Sequence, residues 1–408
     1  MMCDAIDGRP TLGYCTNVHA GTTLEQTLAN LETHALAVKA SVSPDAPMGV
    51  GLWLSASVAR ELIDTQQIEL LRKFLDVHGL VAHTLNGFPF GDFHQRVVKH
   101  DVYQPDWRQQ ARFDYTLDLV HILSQLLPDG MTGSISTLPL GWPSLMRDDG
   151  DIETAKRNAA ARLLDLVHQL ARVELDTGKL IHVDLEPEPG CLLSTSTDVV
   201  DFFNRYLLDN PDERSVREYL RICHDVCHAA VMFEDQGEAL RRYTQAGLKV
   251  GKVQVSSAVR VDFDAMDETT REQAMHELRG FAEDRYLHQT AVRSDDGQVR
   301  FYDDLGEAMK REGGKDQDVH GVTPWASPGG EWRVHFHVPI YLDEIGTLGT
   351  TRGAIERCLP VARAMGVQHF EAETYAWGVL PTALRVERLA DGIAKELSWL
   401  SKRMTSRT

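Results

Sequence analysis

Short runs of β-branched, aliphatic and aromatic residues alternate along the chain with longer stretches whose apolar positions recur every three or four residues. Eight of the short runs read as strands: TLGYCTN from Thr11, VGLWLS from Val50, LVAHTLN from Leu80, TGSISTL from Thr132, KLIHVDLE from Lys179, YLRICHD from Tyr219, VGKVQVS from Val250 and VQHFEAE from Val367. Between them, the spacing of Leu24, Leu28, Leu31 and Ala35, of Ile68, Leu71 and Leu75, of Leu117, Val120 and Leu123, and of Leu163, Leu164, Val167 and Leu170 predicts amphipathic helices. Eight strand–helix units in series fit a closed parallel barrel or a large doubly wound sheet. The expected fold is α/β, a single (β/α)8 TIM barrel over residues 1–408. No Gly-rich phosphate loop of either standard type follows a strand, which argues against a dinucleotide or nucleoside triphosphate site.

Two stretches break the rhythm. Residues 87–107 form a long aromatic loop after the third strand. Residues 258–330 form a polar insertion after the seventh, with a charged helix around Met266 to Arg279 and a Gly/Pro-rich end. Loops of this length in a compact domain usually carry function or move. Both follow strands, so in a barrel both belong to the C-terminal face, where sites are built. The insertion is therefore expected as a lid, or else as a decoration of the fold.

Charge and cysteine content narrow the partners. Lys and Arg number 42 against 60 Asp and Glu, a formal net charge of -18, so binding to nucleic acid would work against the protein's own field. Six cysteines in 408 residues do not make a disulfide scaffold. The start of the chain has no basic region followed by an apolar run, and no stretch approaches the ~20 apolar residues of a membrane span. A cytoplasmic, reducing location and a small-molecule partner are the expectation.

Candidate chemistry gathers at the ends of the late strands. Alternation places His182, Asp184 and Glu186 on one face of the fifth. Three polar side chains inside a barrel wall need partners, either a metal ion or a hydrogen-bond network. The sixth ends in Asp225-Val226-Cys227-His228, where a carboxylate and an imidazole three residues apart can face one ion or one substrate. Cys223 and Cys227 lack the second pair that would complete a zinc clip. His335 and His337 alternate on one face of an extended segment, and Glu371 and Glu373 do so at the end of the eighth strand. Each signal is weak alone, but a barrel converges strand ends on one point.

These elements resemble those of the xylose isomerase-like barrels, which include sugar isomerases, ketose 3-epimerases and endonuclease IV-type enzymes. Asp225-x-x-His228 looks like their strand-six element, Glu186-Pro187 like their strand-five glutamate, and Glu373-Thr374 like their closing pair. His335-x-His337 is similar to the D-x-H pair of the endonuclease branch, with His in place of Asp. The resemblance implies Glu186, Asp225 and Glu373 as metal ligands and His228 as a substrate or further metal ligand. It departs at Gln254, which stands where the family's strand-seven histidine would be; an amide oxygen binds a hard cation but suits zinc less well than imidazole. A closer likeness is to the EboE-type metabolite-traffic proteins. It is carried by Tyr14-Cys15-Thr16-Asn17-Val18-His19, by the stretch from Thr84 to His94, and by Val102-Tyr103-Gln104-Pro105-Asp106-Trp107. It implies a setting, the handling of a secondary metabolite alongside other proteins of that pathway, rather than a reaction.

The expected metal ligands are Glu186, Asp225, Gln254, His335, His337 and Glu373, holding manganese or zinc ahead of magnesium. Expected substrate contacts are His19, Asn86, Phe88, His182, His228 and Trp377, with Phe90, Phe93, Trp107, Trp142 and Trp325 as further pocket aromatics. Three functions fit. In a metal-dependent isomerase or epimerase, Glu186 and Glu373 would exchange a proton with carbon. The others are a zinc-dependent phosphoester hydrolase and a non-catalytic metabolite-binding protein.

Overall fold

The computed structural model describes residues 11–149, 152–312 and 328–405; Cys3 and Trp325 lie outside these. Seven strands come first: β1 (Thr11–Cys15), β2 (Met48–Trp53), β3 (Leu80–Asn86), β4 (Gly133–Thr137), β5 (Ile181–Leu185), β6 (Leu220–Asp225) and β7 (Val250–Val255). Six inserted strands follow: β8 (Val259–Asp262), β9 (Thr290–Arg293), β10 (Val299–Tyr302), β11 (Glu331–Val334), β12 (Glu344–Ile345) and β13 (Leu348–Thr350). The last, β14 (His369–Ala372), lies between β7 and β1. The eight strands β1 to β7 and β14 thus close into a parallel barrel, with Thr11 in register with His369 at the seam and helices between successive strands.

Helices cover the outside of this barrel, which is why the outward-facing positions of its strands are apolar. Outward-facing Val50, Leu85, Ile135, Val183 and Phe370 join the main apolar cluster. The inside is unusually polar. Ser134 donates to Asp184 (2.6 Å), which also pairs with His182 Nδ1 (2.6 Å). Lys252 Nζ reaches Ser136 (3.1 Å) and Glu371 (3.2 Å), and Thr84 donates to the same carboxylate. Buried polar groups are stable only when paired in this way. Glycine makes the room: a Cβ on Gly51 would fall on the Glu371 carboxylate, and one on Gly251 on that of Asp184. Gly251 is the extra residue of a bulge where β7 slips against β6.

The inserted strands form an antiparallel sheet in the order β10-β9-β11-β8-β13-β12. Its strands run from Val259 to Thr350 and so reach past residue 330. Val259, Val261, Trp332 and Val334 alternate inward and pack with Ala274, Met275 and Leu278 of the helix Glu268–Arg279. The same cluster takes in Trp53 from the end of β2 and Phe93 and Tyr375 from the barrel's loops, which fastens the sheet to the barrel's C-terminal face. The loop after β3 meets it there: the amides of Val98 and Lys99 both donate to the carbonyl of Arg285. Among the described residues no helix is long and apolar enough to cross a membrane.

Candidate metal centre

The end of β6 shows how local folding sets a ligand. Asp225 caps the helix Val226–Val231: its Oδ1 accepts from the amide of His228 (2.8 Å) and from the Ser256 hydroxyl (2.7 Å). Capping uses one carboxylate oxygen. The other, Oδ2, is buried without a hydrogen-bond partner. The cap places His228 in the helix's first turn, where its Nδ1 lies 2.9 Å from the carbonyl of Pro187. The Asp-x-x-His spacing is thus the spacing of a helix cap.

His335 and His337 are aimed by strand alternation beyond β11. The amide of His335 pairs with Gln289 O and that of Val338 with Ser257 O, which keeps the segment extended. Phe336 turns into the second apolar cluster, edge-on to Phe281. The flanking histidines therefore face the other way, towards the barrel mouth.

The three imidazoles have one proton state available to them. His228 Nδ1 meets a backbone carbonyl, and so does His337 Nδ1, 2.8 Å from Glu373 O. His335 Nδ1 meets Gln289 Oε1 (2.8 Å), whose amide nitrogen donates to Glu188 and Pro189 O. Each acceptor requires the hydrogen on Nδ1, so each Nε2 carries a lone pair. Yet His335 Nε2 lies 3.2 Å from the Nε2 of both His228 and His337. Burial lowers the imidazole pKa to about 3 for His228, about 4 for His337, and well below the ordinary value for His335, so a proton does not relieve the contact. Two nitrogens about 2.1 Å from one tetrahedral ion stand about 3.4 Å apart.

A carboxylate cluster adjoins these rings. Ligand oxygens of Glu186, Asp225 and Glu373 lie within 4.8 Å of one another, and the same holds for ligand atoms of Asp225, His228 and His337, of Glu188, His228 and His335, and of Cys227, His335 and His337. Glu373 Oε1 accepts from Asn17 (2.7 Å) and Asn86 (3.1 Å). Glu186 Oε2 has no partner. Burial, with the charge of Asp225, pushes Glu373 up to about 8; burial, with Glu373 and Asp225, pushes Glu186 well above the carboxylate range. Gln254, in register with Asp225 on β6 and Glu371 on β14, is fully buried with both amide atoms unpaired. Crowded carboxylates, facing lone pairs and unpaired amide atoms all fit a bound divalent cation.

Above the cluster opens a cavity of about 530 Å³, counting solvent at its mouth. Of the residues singled out from sequence, Glu186, Glu373, His335, His337, Asn86, Phe88, Phe93 and His228 line it. Asp225 and Gln254 are buried and do not line it. His19, His182 and Trp377 are placed elsewhere. His19 stacks on His34 beside a smaller pocket, His182 pairs with Asp184 inside the barrel, and the Trp377 indole donates to Glu396. Trp107 and Trp142 are core, and Phe90 packs against Tyr115. Glu188, Tyr286 and Tyr375, which the sequence did not single out, also line the cavity, as do Asn17 and Tyr103, which it marked only as part of a resemblance. Glu188 carried a signal, two positions past Glu186. Burial raises it to about 7, against hydrogen bonds from Tyr103 (2.8 Å) and Gln289 (2.8 Å).

No family model and no curated protein matches the sequence. Solved structures do match in fold. A xylose isomerase-like TIM barrel protein from Mycobacterium smegmatis in complex with magnesium aligns over 99% of both chains, with TM-score 0.51 and 10% identity. The IolI protein with a bound zinc atom aligns over 97% of this chain and 99% of its own, with TM-score 0.48 and 11% identity. The probable 3-DHS dehydratase AsbF from Bacillus anthracis aligns over 96% and 98%, with TM-score 0.47 and 12% identity. At these identities the likeness is one of fold alone: the chain is a closed (β/α)8 barrel.

Proposed function

We propose that this barrel is a metal-dependent enzyme of isomerase or epimerase type acting on a small metabolite. The observation that carries it is the close approach of the bare Nε2 atoms of His228 and of His337 to that of His335, beside the Glu186–Asp225–Glu373 cluster. These six residues would hold one or more divalent ions, zinc or manganese ahead of magnesium, with Gln254 as a further oxygen donor. When bound, the ion supplies polarisation of a substrate carbonyl and neighbouring hydroxyl. Glu186 and Glu373 come from strands on different sides of the barrel, and both hold a proton more tightly than an ordinary carboxylate. One is suited to take a proton from carbon while the other returns it. Asn17 and Asn86 fix Glu373 by one oxygen and leave the second to the reaction.

The stretches that resemble EboE-type proteins supply Asn17, Asn86, Phe88, Phe93 and Tyr103 of the cavity. That supports a role in secondary-metabolite handling, in the cytoplasm and alongside partner proteins, for the same site. The nitrogen-rich half of the cluster favours a second reading, zinc-dependent hydrolysis of a small phosphoester. The test is deuterium wash-in from D2O, followed by NMR on a panel of α-hydroxy ketones with metal-loaded protein. Exchange at the carbon next to the carbonyl, lost in Glu186→Gln and Glu373→Gln, is the expected result. Phosphate release from aryl phosphates without any wash-in would replace it with the hydrolase. Neither activity in metal-loaded protein would leave a binding protein.

A further inference from the structure

The cavity above the carboxylates changes character from floor to mouth. At the floor are groups with unspent polarity: Glu186 Oε2 and Asn17 Oδ1 have no partner, and the bare histidine nitrogens lie beside them. The walls above are aromatic. Tyr375 lies against His337, with ring centroids 4.6 Å apart, and continues into Phe93 (5.4 Å) and Tyr286 (5.0 Å). Phe88 and Tyr103 also line the cavity, edge-to-face at 6.1 Å.

Two of the three tyrosines of these walls offer ring surface rather than hydroxyl groups. Tyr103 commits its hydroxyl to Glu188 (2.8 Å), and Tyr286 commits its own to the carbonyl of Phe93 (3.2 Å). At the mouth, Lys99 is tied to Asp304 at 2.6 Å. A free sugar brings a hydroxyl on nearly every carbon, and most of these would lose their water against such walls without a replacement partner. A flat apolar body loses nothing there and gains ring contacts.

Resting on the metal reading above, we propose that the substrate is an amphipathic aromatic metabolite rather than a free sugar. Its oxygen-bearing head would meet the metal-binding floor, and its ring body would lie between the Phe88–Tyr103 and Phe93–Tyr286–Tyr375 walls. Tyr286 comes from the inserted region and the other four from loops at the barrel's C-terminal face, so the insertion helps set specificity.

The test compares two chelating probes with the same head, acetohydroxamate and benzohydroxamate. Calorimetry is done on the full chain loaded with zinc, its metal content measured beforehand. Benzohydroxamate is expected to bind about tenfold tighter or more, from burial of its ring. In Tyr286→Ser that preference should fall several-fold while acetohydroxamate affinity stays unchanged, which also shows that the variant is folded. A preference of similar size in wild type and Tyr286→Ser, or none in wild type, would overturn the substrate class and leave the metal reading standing. Metal-loaded protein that binds neither probe, or protein that takes up no metal, would overturn both.

Discussion

Lys252 and Glu371 form an ion pair inside the barrel, Nζ to carboxylate 3.2 Å, with both side chains fully buried. The pair lies one pleat below the mouth: Glu371 on β14 precedes Glu373, just past the strand's end, by two residues, and Lys252 precedes Gln254 by two on β7. Burial opposes the lysine's charge and the Glu371 carboxylate restores it; the net direction is upward, so Lys252 stays a cation. Breaking a buried pair from one side leaves an uncompensated charge. Lys252→Met is expected to cost about 3–5 kcal/mol in denaturant unfolding, and adding Glu371→Gln should return part of it. Equal stability of Lys252→Met and wild type would show that the pair holds nothing together.

Gly51 is the complementary test of that interior. Its missing side chain is the space occupied by the Glu371 carboxylate, which Lys252 and Thr84 hold in place. Gly51→Ala is expected to destabilise the fold by about 1–3 kcal/mol or more, as overpacking does in a rigid core. An unchanged denaturation midpoint would mean that the interior yields more easily than its hydrogen bonds indicate.

Stability should depend on pH in a direction set by the metal. In protein stripped of metal, folded Glu373 keeps its proton to about pH 8, while the unfolded chain releases it near the ordinary value of 4.5. Between those values the folded state binds more protons, so stability falls as pH rises. Glu186 is shifted the same way and adds to the trend. A cation replaces the protons and reverses it. The expected result is a melting temperature several degrees lower at about pH 9 than at about pH 5 after chelation, with a metal-induced rise that is larger at the higher pH. A rise of equal size at both pH values would separate metal binding from these carboxylates.

Much of this was legible in the sequence because it rests on local rules. All eight barrel strands could be placed because helices cover their outer faces and the positions on those faces stay apolar. Asp225-x-x-His228 could be read because a cap has fixed spacing, and His335-x-His337 because a strand alternates. What escaped depends on contacts made across the fold. Lys252 reads as a lone charge in an apolar strand until Glu371 appears beside it. His19 reads as part of a motif until His34, on the next helix, stacks against it. Glu188 follows Glu186 in the strand's alternation, but it lies beyond the end of β5, and its partners Tyr103 and Gln289 come from the two longest excursions of the chain.

Metal content tests the central claim most directly. Full-length protein purified without chelator and supplemented with zinc and manganese should carry close to one ion per chain or more by elemental analysis. The double variant His335→Ala/His337→Ala, checked by circular dichroism for an intact barrel, should lose most of that metal. Metal near zero in supplemented wild type, or full metal in the folded double variant, would contradict a centre built on His228, His335 and His337.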